Sequence, residues 1–199
     1  MKSYHPYVFD QKHRKLVGRF EDMYRAEDAT GFDSWHERDL RMLRKRLSRE
    51  MLSAYNFDRI LEIGCGKGAF TQLLKKENNH VTAIDISATA VRKAKETFPD
   101  IDFRVMDALE IAAAKDEFDL VVIMAALAYI KSWPKLLATM ARRTRHLYIA
   151  EYVPANAIGC VKSGRQLLSV IKRHYKVQHQ VVLDREHHLV LAESIFYCK

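Results

Sequence analysis

Short apolar runs alternate with stretches whose apolar residues recur every three to four positions. The runs read as buried strands and the stretches as amphipathic helices. Strand one is Arg59–Ile63, and a helix from about Lys67 to Glu77 follows it. Strand two, Val81–Ile84, ends at Asp85. The next helix runs from about Ala88 to Phe98, with Ser87 as N-cap and Pro99 beyond its end. Strand three, Asp102–Met106, ends at Asp107, and a short helix spans Leu109–Ala114. Strand four is Phe118–Met124. Pro134 begins a helix to about Arg143, and strand five is His146–Glu151. Pro154, Asn156 and Gly159 mark a loop before a helix over Val161–Arg173. Lys176–Leu183 and His188–Tyr197 alternate apolar and polar positions across a charged turn, which reads as an antiparallel hairpin. Five strands separated by helices imply a doubly wound, mostly parallel α/β sheet.

Residues 1–32 are polar and irregular, yet they carry Tyr4, Tyr7, Phe9, Phe20, Tyr24 and Phe32. So many aromatics predict an arm or short helix packed on the domain. A helix then reaches Tyr55, with Asp33 and Ser34 as N-cap candidates and Leu40, Leu43, Leu47 and Met51 as its apolar stripe. No internal repeat or linker divides the chain. It reads as one domain over 1–199, with a helical arm or lid (1–55) and a core (59–199).

Composition narrows the class. The hydrophobic share of 48% and charged share of 29% are those of a soluble globular protein. No apolar run is long enough for a membrane span or a secretory leader, so no membrane partner is expected. Cys65, Cys160 and Cys198 lack metal-ligand spacing, which points to a reducing cytoplasm and no metal site. The net charge of +8 is uneven. Residues 131–199 hold 12 Lys and Arg against 4 Asp and Glu, whereas 60–130 hold 8 against 11. That basic third suits an anionic substrate, a nucleic acid or a membrane surface, or solubility alone.

The chemistry gathers where strand one meets a glycine turn, at Arg59 to Gly68. Gly64, Gly66 and Gly68 let the backbone turn and let a ligand approach where a Cβ would block it. In open α/β sheets such a turn lies at the carboxyl end of the strands, where ligands bind. Gly64-x-Gly66-x-x-Ala69 also fits a dinucleotide fingerprint, with Asp85 about twenty residues on to grip ribose hydroxyls. Glu62, two residues before the first glycine, is placed to pair with a cationic ligand group. An NAD-dependent oxidoreductase accounts for the turn and Asp85, but not for Glu62 or Asp107.

The run Leu61-Glu62-Ile63-Gly64-Cys65-Gly66-Lys67-Gly68 resembles motif I of the class I S-adenosylmethionine (SAM)-dependent methyltransferases. Phe118-Asp119-Leu120-Val121-Val122 resembles the motif IV strand of the same family. The resemblance implies a Rossmann-like, seven-stranded sheet with an antiparallel C-terminal hairpin, SAM as methyl donor and S-adenosyl-L-homocysteine (SAH) as product. It implies that Asp107 meets the adenine amino group and Ala108 the ring. The loop from Met124 to Ile130 would border cofactor and acceptor. That loop has no Asn-Pro-Pro-Tyr sequence, which argues against adenine- or glutamine-directed methylation. The stretch from Gly31 to Arg38 resembles the NodS-like branch, which acts on amino sugars and related small acceptors. By that likeness Trp35 walls the cofactor, with Tyr24 near it. The implied cofactor set is Trp35, Glu62, Gly64, Cys65, Gly66, Gly68, Asp85, Ile86, Asp107, Ala108 and Met124.

Methyl transfer to an amine or hydroxyl requires loss of a proton, which a placed base can assist. Tyr129, after strand four, and Glu151, ending strand five, are the catalytic candidates. Tyr152, His187 and His188 are expected on the same edge, because strand six should run parallel to its neighbours. His146 starts strand five and is expected to face away. The implied function is a cytoplasmic methyltransferase for a small-molecule acceptor, preferably a sugar or amine, methylated on N or O. The alternative is a non-catalytic SAM-binding or RNA-associated module. Lys162, Arg165 and Lys172 would then share a helix face, although no dedicated RNA-binding module is visible.

Overall fold

In a computed structural model, which describes residues 5–114 and 116–197, seven strands form one sheet. They are β3 (Arg59–Ile63), β4 (His80–Asp85), β5 (Asp102–Val105), β6 (Phe118–Met124), β7 (Thr144–Tyr152), β8 (Tyr175–Leu183) and β9 (His187–Ser194), in the order β5-β4-β3-β6-β7-β9-β8. A separate ribbon pairs β1 (Phe9–Asp10) with β2 (Lys15–Leu16). Strands β3 to β7 are parallel, and β9 is antiparallel to both β7 and β8. The expectation that strand six would have parallel neighbours is therefore corrected. Strand β8 points the same way as β7, but β9 inserts between them, because a short turn lets a hairpin pair with itself.

Alternation along the strands sorts the core into two layers. Leu61, Ile63, Val121, Ile123, Leu147 and Ile149 face α6 (Ala108–Ala113), α7 (Trp133–Met140) and α8 (Gly164–Ile171). Ile60, Val81, Leu120, Val122 and Tyr148 face α3 (Leu43–Ser53), α4 (Thr71–Leu74) and α5 (Ala88–Thr97). Ser87 caps α5 by accepting from Ala90 N, as its sequence position suggests. Helix α4 covers only four residues of the predicted eleven-residue helix. Gly68 and the turn before it spend the first part of that segment in a loop.

The N-terminal segment is α1 (His5–Val8), the β1–β2 ribbon and α2 (Phe20–Thr30), which packs Met23 and Tyr24 against Ala90 of α5. Tyr4 and Cys198 lie outside the described residues. Helix α3 departs from the sequence reading in its start and in part of its face, since Leu47 and Met51 of the apolar stripe pack against the core but Leu43 does not. Neither Asp33 nor Ser34 caps it, since it begins at Leu43. Leu43 is 55% exposed, while Lys45, Ser48 and Leu52 are buried. The buried polar groups have partners that a stripe count overlooks. Lys45 Nζ donates to the carbonyls of His36, Glu37 and Asp39, and Ser48 Oγ accepts from Tyr148 Oη at 2.7 Å. No described helix is long and apolar enough to cross a membrane.

Candidate functional site

At the carboxyl end of β3 the chain enters the left-handed region three times, at Gly64 (φ +76°), Gly66 (+54°) and Gly68 (+79°). These angles exclude most side chains. The turn hangs on β4, since Gly64 N and Cys65 N both donate to Ile84 O, at 2.8 and 3.0 Å. Asp85 closes it, taking Gly66 N on one oxygen and Ser87 N on the other, both at 2.9 Å. A Cβ on Gly66 would meet Tyr24 Oη at 2.7 Å and both Glu37 oxygens at 2.8 Å.

The N-terminal arm is thus bound to the turn by polar contacts. Tyr24 Oη donates to Glu37 Oε1 at 2.9 Å, and Lys67 N donates to Glu37 Oε2 at 2.8 Å. Lys67 Nζ pairs with Glu27 at 2.8 Å and Asp33 at 3.0 Å. Burial works against the Lys67 charge, but Glu37, Glu27 and Asp33 outweigh it and raise its pKa. Farther out, Glu21 accepts from the hydroxyls of Ser87 and Thr89 and from Thr89 N. Burial opposes its charge, yet those donors hold it down at about 2.

A cavity of about 1050 Å³ runs from this turn across the sheet edge. Glu62 lies in its wall, 1% exposed, with Oε2 lacking a hydrogen-bond partner. Burial pushes its carboxyl up to about 8 and that of Glu37 to about 7, and it also raises Asp85. The nearby ammonium groups are engaged elsewhere, Lys67 with the arm's acids and Lys45 with carbonyls. An unpartnered buried carboxylate is costly, and a cationic ligand group beside it relieves that cost.

Ile86, Met106, Asp107, Ala108, Leu109 and Met124 continue the cavity beyond the turn. Asp107 caps α6 by accepting from Leu109 N at 2.7 Å. Beyond β6, the short 3-10 turn Leu127–Tyr129 carries Tyr129 into an aromatic cluster. Its ring lies 5.3 Å from Phe20, 5.5 Å from Trp35 and 5.9 Å from Phe9. Arg44, Lys131, Tyr152 and His187 line the remaining end, with the His187 ring 4.8 Å from Tyr152. Burial and then Arg44 lower the His187 pKa, which favours its neutral form.

The structure brings Trp35, Glu62, Gly64, Cys65, Gly66, Asp85, Ile86, Asp107, Ala108, Met124 and Tyr129 onto one cavity. Gly68 stands behind the wall, against Phe103 and Phe98. Glu151 does not line the cavity. It is buried and accepts from Leu127 N at 2.8 Å and Ala128 N at 3.3 Å, so it braces the loop that presents Tyr129. Burial raises its carboxyl to about 7. His188 is likewise turned inward, against Gly164. His146 lies at the far end of the sheet, against Tyr55 and Phe57. Glu37 and Lys131 are cavity residues that the sequence reading did not single out. Glu37 falls within the Gly31–Arg38 stretch, which was the one signal available for it.

The family described as "Methyltransferase domain" matches residues 60–146. Demethylmenaquinone methyltransferase of Renibacterium salmoninarum is 29% identical over 146 residues, which cover 72% of this chain and 61% of that protein. Nodulation protein S of Sinorhizobium fredii is 28% identical over 153 residues, 72% of this chain and 66% of its own. The chain thus spans less than two thirds of the length of these curated relatives. The crystal structure of N-methyltransferase NodS from Bradyrhizobium japonicum, in complex with SAH, superposes with a TM-score of 0.71 at 20% identity. The superposition covers 88% of this chain and 98% of that one, and it shows a shared fold.

Proposed function

We propose that the chain is a class I SAM-dependent methyltransferase that methylates a nitrogen or oxygen of a small-molecule acceptor, a sugar or an amine; the methyltransferase-domain match over residues 60–146 and the fold shared with NodS support this reading. The observation that carries the proposal is the buried Glu62 carboxyl, with its Oε2 lacking a hydrogen-bond partner, beside a glycine turn closed by Asp85, in a cavity that extends past Tyr129. Bound SAM supplies a methyl group already activated by the positive sulfur. Glu62 suits its ammonium group, and the free lone pairs of Asp85 suit the ribose hydroxyls. Asp107, Ala108 and Ile86 suit the adenine end.

The chain's own residues supply alignment and dryness. Holding the reacting atoms in line contributes about 7–11 kcal/mol in favourable cases. Phe20, Trp35 and Tyr129, with Phe9 packed on the Tyr129 ring, wall the cavity with apolar surface, which excludes water from the reacting centre. Tyr129 is read as a positioning wall and Glu151 as the brace behind it, so neither is required as the base. The name of one structural neighbour, N-methyltransferase NodS, supports a nitrogen on the acceptor, and that of a curated relative, Ubiquinone biosynthesis O-methyltransferase, keeps oxygen open.

Calorimetric titration with SAH, with NAD as control, tests the cofactor. Micromolar SAH binding and no NAD binding are expected, and binding of NAD alone overturns the reading. Transfer of labelled methyl from SAM to a panel of amino sugars, amines and hydroxylated aromatics then tests the acceptor. Label appearing only on the aromatics would remove the sugar or amine assignment.

A further inference from the structure

Residues 120–183 contain ten Lys and Arg and a single acidic residue, Glu151. Glu151 is buried, so this part of the chain brings positive charge to the surface and no exposed acid of its own. Helix α8 turns Leu167, Val170 and Ile171 into the core and leaves Arg165 exposed. Lys172 lies seven residues on, on the same face, and is also exposed. Arg173 and Arg142 extend this face to the amino-terminal end of the sheet. Among the described residues, none of these four has an ion-pair partner, whereas Arg145 nearby is matched by Glu193 at 3.1 Å.

At the same corner, two large apolar side chains stand in solvent. Ile195 is 54% and Phe196 47% exposed. They are fixed there by the fold: Ile195 N donates to His174 O at 3.1 Å, and the Arg142 guanidinium lies 5.8 Å from the Phe196 ring centre. Cations on an open face around an aliphatic–aromatic pair match the acyl boundary and headgroups of an anionic membrane. A nucleic acid would use the cations, but it has no use for exposed Ile195, and Arg142 already occupies a face of Phe196. A chain without a membrane span can still lie on a membrane surface.

We infer that the face formed by Arg165, Lys172, Arg173 and Arg142, with Ile195 and Phe196 as anchors, is a docking surface for an anionic lipid membrane. Lys172, Arg173, Arg142, Ile195 and Phe196 lie at the opposite end of the strands from the cavity, and Arg165 stands at the far end of α8, beside Gly164 and His188. The inference is independent of which acceptor is methylated.

Co-sedimentation of the full chain with phosphatidylcholine vesicles, with and without phosphatidylserine, tests the inference. Binding is expected only with phosphatidylserine, and it should weaken as salt rises. Each basic residue near such a surface contributes about fivefold in affinity. R142Q/K172Q/R173Q should therefore weaken binding by on the order of a hundredfold. I195S/F196S should lower the binding that persists at high salt. Unchanged SAH affinity in both variants verifies that they are folded. No binding to phosphatidylserine vesicles at low salt, or equal binding by the triple variant, overturns the inference. So does displacement from vesicles by a single-stranded RNA at matched phosphate concentration, which would assign the face to nucleic acid.

Discussion

Glu62 shows how one buried group ties binding to protonation. With no partner for Oε2 and a pKa near 8, its carboxyl is largely protonated in the free protein at neutral pH. An ammonium ligand requires the carboxylate, so binding should release a proton. SAH affinity is expected to rise between about pH 6 and pH 8. Calorimetry at pH 7 in phosphate and in Tris should give different heats, and identical heats would refute the pairing. Glu62→Gln should weaken SAH binding by about tenfold to a hundredfold and remove the buffer dependence. At Gly66 the constraint is space. Valine there would strike Tyr24 and Glu37 and would hold φ +54° at a cost of about 1–3 kcal/mol. Gly66→Val should abolish measurable SAH binding while the circular dichroism of the sheet persists. Retained affinity would undo the assignment of the turn.

At the level of elements, the arm and α3 are held by polar contacts that a hydrophobic pattern does not record. The Lys67 side chain is 10% exposed between Glu27 and Asp33. Lys67→Met would leave two carboxylates without their cation, and urea denaturation should show a loss of about 3–5 kcal/mol. A loss below about 1 kcal/mol would mean that the arm's ion pairs are solvent-screened. The orientation of α3 gives a second test. Leu43→Ser, on the exposed side, should change stability by less than about 0.5 kcal/mol. Leu52→Ala, on the buried side, should cost about 2–5 kcal/mol. The reverse ranking would restore the face that the apolar stripe suggests.

Over the whole molecule, buried acids make stability depend on pH. Glu62, at about 8, and Glu37 and Glu151, at about 7, all sit above the ordinary glutamate value. Between that value and 7–8 the native state binds more protons than the unfolded chain, so stability falls as pH rises through this window. Glu21, at about 2, acts oppositely, contributing stability that is lost only as pH falls from about 4.5 towards 2. The ligand-free protein should therefore resist urea better near pH 5.5 than near pH 8, and Glu62→Gln should flatten the difference. A midpoint that rises towards pH 8 would contradict the burial of these acids.

Local pattern sufficed for the strands, for the Ser87 cap and for the glycine turn. Each is encoded by residues a few positions apart, through side-chain alternation, a hydroxyl three residues from its amide, or positive φ at glycine. The carboxylates at strand ends were legible for the same reason, because parallel strands deliver their carboxyl ends to one edge. The arm was not. Lys67 meets Glu37 across 30 residues and Glu27 across 40, while Ser87 meets Glu21 across 66. No spacing rule spans such gaps. The same holds for Glu151, whose position at a strand end suggested chemistry. Only the packed loop above it supplied the two amide donors that turn it into a brace. Whether a polar side chain faces ligand, solvent or backbone depends on which donors and acceptors the fold carries to it, and those come from distant parts of the chain.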